Sequence, residues 1–238
     1  MYTKRVAVFI FIVFSVTAGL RSAEPDGQIT VTGRIEFGGS TKKDSSNAVV
    51  WLTPVGDRLQ TRTGNQRGQL LQKHKTFSPH VLVVQVGSAV DFPNEDPFFH
   101  NVFSLFEGKR FDLGLYEAGT NRAVTFNRAG VSYIFCNIHP EMSAVIISLN
   151  TPFYGISDRN GMISIPDVPA GLYEMGVWDE RVLPETLYSL TRRILVSQQS
   201  SSFGVLHLPE QRNLSHTHKN KYGQDYDPST RPPGYIRP

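Results

Sequence analysis

The chain has little with which to staple itself or cross a bilayer. It contains 1 cysteine in 238 residues, so no internal disulfide can form. No apolar run is long enough for a transmembrane helix: the longest, Val6 to Val16, is roughly half of what a bilayer needs. No basic run alternates with aromatics and the net charge is only +3, which leaves no nucleic-acid signature. Internal repeats and sustained helical periodicity are missing too. With 20 glycines and 15 prolines, the composition points instead to an all-β chain with many turns.

The short apolar run follows Lys4 and Arg5 and precedes small residues at Ala18 and at Ser22-Ala23. That is the layout of a secretory signal over residues 1–23, with cleavage between Ala18 and Glu24. The alternative is an uncleaved N-terminal anchor. The mature protein is expected to be periplasmic or secreted, with no stable membrane span. Export leads into compartments where thiols oxidise, so an unpaired cysteine there requires a reason.

The reason lies in its neighbours. Cys136, His139 and Met142 follow one another at three-residue intervals, and His100 lies upstream. Two imidazoles, a thiolate and a weak thioether form the donor set of a blue-copper electron-transfer site. Strand side chains alternate between faces, so three ligands this close fit a strand end and a tight loop. Val131 to Phe135 supplies the strand, and Pro140 stops it. Zinc has no use for the thioether. A Cys136–His139 nucleophile lacks any visible oxyanion or acid partner.

Alternation over Ile29–Phe37 predicts a half-buried strand, and 48–52 a more buried one. Residues 57–74 read as a linker. Strands are expected within 77–92, 103–115, 123–126, 131–135 and 144–149. A hairpin is expected over 157–178, one helical turn within 184–190, and further strand over 194–208. Residues 209–238 are polar, with few aliphatics, and are expected to be a disordered tail. His216 and His218 there are read as solvated. Asp158 and Asn160-Gly161 superficially suggest a calcium loop, but a plain turn is the better reading.

The run from Phe77 through Asp96, the His100-Asn101-Val102 triplet and the loop from Gly130 to Met142 together resemble the plastocyanin and amicyanin branch of the cupredoxins. The resemblance covers about residues 75–150. It implies a Greek-key β-sandwich with His100, Cys136 and His139 as strong equatorial copper ligands and Met142 as the weak axial one. It also implies that the Asn101 side chain ties the first ligand's segment to the cysteine loop. Where the family carries an aromatic two residues before the cysteine, this chain has Ile134. It further implies that His139 reaches the surface. With Phe98 and Phe99 it would form an apolar patch where redox proteins dock.

The stretch from Asp158 to Val177 resembles a second family, the carboxypeptidase-regulatory-like (transthyretin-like) sandwich. That unit normally opens with strands like those at 27–56. The expected organisation is a discontinuous sandwich, 27–56 with 152–208, into which a copper domain over 75–150 is inserted. The alternative assigns the N-terminal strands to the copper domain. The functional expectation is an exported type 1 copper protein that carries single electrons and is not an enzyme. The alternative is a cell-envelope copper-binding or scaffold protein whose second sandwich binds a partner or glycan.

Overall fold

The computed structural model describes residues 27–38, 44–56, 67–105, 108–211 and 218–226. The expected signal segment lies outside them. The described residues are nearly all β, with one short helix, and no helix among them is long and apolar enough to cross a membrane.

Two sheets are built from the two ends of the chain. β1 (Ile29–Phe37) lies between β14 (Met162–Val168), antiparallel, and β17 (Ser202–Leu208), parallel. β2 (Val49–Pro54) lies between β13 (Tyr154–Ile156) and β15 (Gly171–Trp178), and β16 (Arg192–Val196) completes that sheet. Strict alternation in β1 buries Ile29, Val31, Ile35 and Phe37 against Ile163, Ile165, Leu52 and Met175. The helix α1 (Pro184–Ser189) opens on the proline expected at such a start and buries Leu187.

The middle of the chain forms the other sheets. β6 (Val81–Gln85), β12 (Ser143–Leu149), β11 (Gly130–Cys136), β8 (His100–Ser104) and β9 (Phe111–Tyr116) make a five-stranded sheet in that order. Opposite lie β10 (Asn121–Thr125), β7 (Ala89–Pro93) and β3 (Arg67–Gln69). A small hairpin pairs β4 (Leu71–Lys73) with β5 (Thr76–Ser78). Phe92, Phe126, Ile134, Ile146 and Val102 fill the space between, and Cys136 and Met142 belong to the same cluster.

β12 is buried on both faces. Ala144 and Ile146 point into the core that contains Cys136, whereas Val145, Ile147 and Leu149 join Val81 and Val83 in the core of the two end sheets. One apolar strand thus serves two cores, which accounts for its continuous hydrophobic run.

Three expectations need correction. The linker over 57–74 does not hold from Arg67 onward: β3 pairs with β7, Leu70 is fully buried, and buried Gln72 donates to the Tyr116 hydroxyl and the Phe92 carbonyl. Its polarity belongs to a buried amide whose NH2 group is hydrogen-bonded inside the protein rather than to solvent exposure. The hairpin over 157–178 does not form either, because β14 and β15 lie in different sheets. The Pro169-Ala-Gly171 stretch is a crossing between layers. The turn at Asn160-Gly161 instead joins β13 to β14. Gly161 has φ +77 there, and a Cβ would meet the Ile35 carbonyl oxygen at 2.0 Å, so only glycine fits. The third correction concerns the tail: residues 218–226 pack on the protein.

Candidate metal centre

His100 is the first residue of β8, and Cys136 the last of β11. Cys136 pairs across the sheet with Val102, two residues beyond His100, so the pairing itself brings the two donors together. The chain then turns back. Met142 N–H donates to the His139 carbonyl at 3.1 Å, and Cys136 N–H donates to the Met142 carbonyl at 3.2 Å. This closed turn swings His139 over to Cys136, as the spacing before Pro140 predicts.

The three donors form a compact triangle. Cys136 Sγ lies 3.6 Å from His100 Nδ1 and 3.5 Å from His139 Nδ1, and the two nitrogens are 3.2 Å apart. A metal bonded at about 2.0–2.3 Å to nitrogen and sulfur in a trigonal plane requires edges near these values. The His-Cys-His group is therefore placed to hold a metal ion. Thiolate with two imidazoles, and a thioether in the same cluster, is a copper set. Both histidines present Nδ1.

Asp96 fixes His100. Its carboxylate lies 2.9 Å from His100 Nε2, with both groups buried. Nε2 is thereby engaged and Nδ1 is left for the metal, the carboxylate–histidine–metal arrangement that orients a ligand and raises its basicity. Asp96 is itself held. The N–H groups of His74 and Lys75 donate to its two oxygens at 2.6 and 2.9 Å. Both donors have positive φ, 55° and 56°, which points successive amides at one anion. Burial pushes the Asp96 carboxyl up, but these donors and His100 outweigh it and hold the carboxyl below its ordinary range.

The remaining electrostatics keep the donors neutral before metal binds. Burial, reinforced by His100, lowers His139 to about 4. Burial lowers His100 as well, against the pull of Asp96. Burial raises the Cys136 thiol, while the backbone N–H groups of Asn101, Ile138 and His139 act the other way. Those amides face the sulfur and favour the thiolate that copper would bind.

Asn101 departs from expectation. Its side-chain Nδ2 donates to Asp112 at 2.6 Å. The link to the cysteine loop runs through its main chain, with Asn137 N–H donating to the Asn101 carbonyl at 2.9 Å. Met142 is fully buried beside Cys136. Ile134 is fully buried in the same core as Cys136, and Phe135 is partly exposed and packs against Phe103.

Phe98 packs on both imidazole rings, with centroids 5.3 Å from His100 and 5.5 Å from His139. Phe99 is exposed. His139 retains 7% exposure against 0% for His100, so of the two imidazoles only His139 has an edge toward the surface, and a narrow one.

Sequence reasoning missed Asp96 as the holder of His100, although a carboxylate four residues before the ligand is the available signal. It also missed residues 218–226. His218, expected in solvent, stacks on Phe135 with centroids 4.4 Å apart.

No protein-family model and no curated protein matches the sequence. Solved structures do resemble part of it. A purple cupredoxin from Nitrosopumilus maritimus matches at 23% identity and TM-score 0.32, over 34% of this chain and 99% of that one. A variant of amicyanin in its Cu(I) form matches at 16% identity and TM-score 0.33, over 42% and 98%. The Cu-containing nitrite reductase of Thermus scotoductus matches at 24% identity and TM-score 0.34, over 41% of this chain but only 25% of that one. The likeness is local, and the reading of the centre rests on its own donors. One of the three is an enzyme, so the expectation that this chain is not an enzyme is withdrawn: likeness to a cupredoxin does not separate carriers from enzymes.

Proposed function

We propose that the chain is an exported type 1 copper protein that transfers single electrons, with His100, Cys136 and His139 as equatorial ligands and Met142 as the axial one. The observation that carries this is the donor triangle, with edges of 3.2 to 3.6 Å and fully buried Cys136 and His100. Donors already at bonding separation need little movement when the ion changes charge, and small reorganisation is what fast electron transfer requires.

Copper, when bound, supplies the one-electron chemistry. The protein orients and encloses. Asp96 holds the His100 ring, three backbone amides face the Cys136 sulfur, and Phe98 packs against both imidazoles. Redox proteins would dock near the His139 edge, over Phe98 and exposed Phe99. Small and weak contacts suit such encounters. The N-terminal segment is the basis for placing the protein in the periplasm or outside the cell. The copper unit would be carried as an insert in a discontinuous sandwich of the carboxypeptidase-regulatory-like kind. The pairing of β1 and β2 with β13 to β17 supports that division.

The test is spectroscopic. Cu(II) added to the mature protein should give an intense visible thiolate-to-copper band and a narrow copper hyperfine splitting, both lost in Cys136→Ser. A colourless, tetragonal spectrum from the unmutated protein would refute the assignment. Tight Cu(I) binding with no accessible Cu(II) form would favour a copper-holding envelope protein instead.

A further inference from the structure

We infer that residues 218–226 are a clasp on the metal centre, fastening the ligand loop from outside so that its shape is set before any metal arrives. The segment meets the loop at three points. His218 N–H donates to the Pro140 carbonyl at 3.2 Å. Lys221 N–H donates to Asn137 Oδ1 at 2.9 Å. The Tyr226 hydroxyl donates to the carbonyl of Cys136 itself at 2.9 Å.

Two further features anchor the segment beside the loop. The His218 ring lies among Phe135, Phe103 and Tyr226, with centroids at 4.4, 6.2 and 5.5 Å. The Lys221 ammonium pairs with Asp112 at 2.8 Å, and Asp112 also receives the Asn101 side chain next to ligand His100. The segment has a turn of its own: Asn220 Oδ1 accepts from the N–H groups of Tyr222 and Gln224 at 2.9 and 3.0 Å.

A short ligand loop has few internal bonds with which to resist opening. Besides the turn itself, Asn137 N–H to the Asn101 carbonyl is its tie to the sheet. The clasp adds bonds at Cys136, Asn137 and Pro140, spread along the loop. Each is worth little alone, but all must break before the loop can open. Tyr226, Lys221 and His218 are thus positioning residues that act through the loop.

The copper half of this inference rests on the copper reading above, but the loop half does not. The experiment uses the full chain, the chain ended after Gln211, and Tyr226→Phe, which keeps the ring and removes only the donor. Amide hydrogen exchange at Cys136, Asn137 and Met142 is followed in metal-free protein. Truncation should speed it about tenfold, and Tyr226→Phe by a smaller factor in the same direction. In copper-loaded protein, transfer of copper to a chelator should accelerate by a similar factor while the visible band persists. Unchanged loop exchange in both variants would overturn the clasp. Faster exchange in a protein that never colours with copper would keep the clasp and refute the copper reading. Should the truncated chain fail to fold, Tyr226→Phe decides alone, and unchanged exchange in it overturns the inference.

Discussion

Asp96 and His100 lie side by side in the protein interior, carboxylate to Nε2 at 2.9 Å, and neither is reached by bulk solvent. The pair determines which nitrogen of His100 is left to face a metal. Asp96→Asn keeps the shape and removes the charge. It should weaken copper binding roughly 10- to 100-fold while leaving a coloured site. Competition against a chelator of known affinity measures this, and an unchanged affinity would show that the carboxylate is not orienting the ligand.

Copper uptake should release about one proton per ion near neutral pH. The thiol of Cys136 is pushed up by burial and binds metal only after losing its proton, whereas His139, lowered to about 4, is already neutral. Affinity should therefore rise about tenfold per pH unit through the neutral range, and more steeply below pH 4, where His139 must also be deprotonated. Folding of the metal-free protein follows the same sign. The unfolded chain protonates this histidine near its ordinary value of about 6.5, so stability is present above that value and falls as pH drops toward 4. Calorimetry in buffers of different ionisation enthalpy gives the proton count, and a count of two or more at pH 7 would contradict it.

Met142 should tune the site without being required for it. Replacing the thioether with the amide oxygen of Met142→Gln should retain copper and lower the reduction potential, because oxygen favours Cu(II). An identical potential and spectrum would remove Met142 from the axial position.

Adjacent residues of β12 should behave as members of different cores. Ile146→Ala and Ile147→Ala should each cost about 2–5 kcal/mol of stability. Only Ile146, which shares its cluster with Cys136 and Met142, should disturb the visible spectrum or hasten copper loss. Ile147 faces the core of the end sheets, so its loss should leave the metal spectrum intact. Equal spectral effects from both would mean that the two cores are not separate.

What could be read from the sequence was local. The order Cys136, His139, Met142 specifies a turned loop by itself, and the alternation of Ile29 to Phe37 specifies a strand with one wet face. What could not be read depends on residues far apart. Nothing at His74 or Lys75 announces two left-handed residues whose amides hold a carboxylate some twenty positions away. Gln72 looks like a surface residue until its amide is seen on Tyr116 and Phe92. Residues 157–178 carry sound turn and strand signals, but those do not say that the strands on either side of Pro169 join opposite layers. The tail's shortage of aliphatics points to disorder, whereas His218 needs only the aromatic surface already offered by Phe135 and Phe103.

The interleaving of early and late strands sets an order on the making of the protein. A chain is synthesised from its N-terminus, and segments fold as their partners emerge. β1 and β2 appear first, yet their neighbours β13 to β17 come after all the strands that surround the metal ligands. Until then they are unpaired edges with apolar sides, the kind of surface that aggregates unless shielded. The loop that closes on Cys136 is finished earlier than the two end sheets, and residues 218–226 arrive after β17. A chain that had emerged only as far as β12 would thus hold all three donors on their own sheet while the two end sheets still lacked most of their strands.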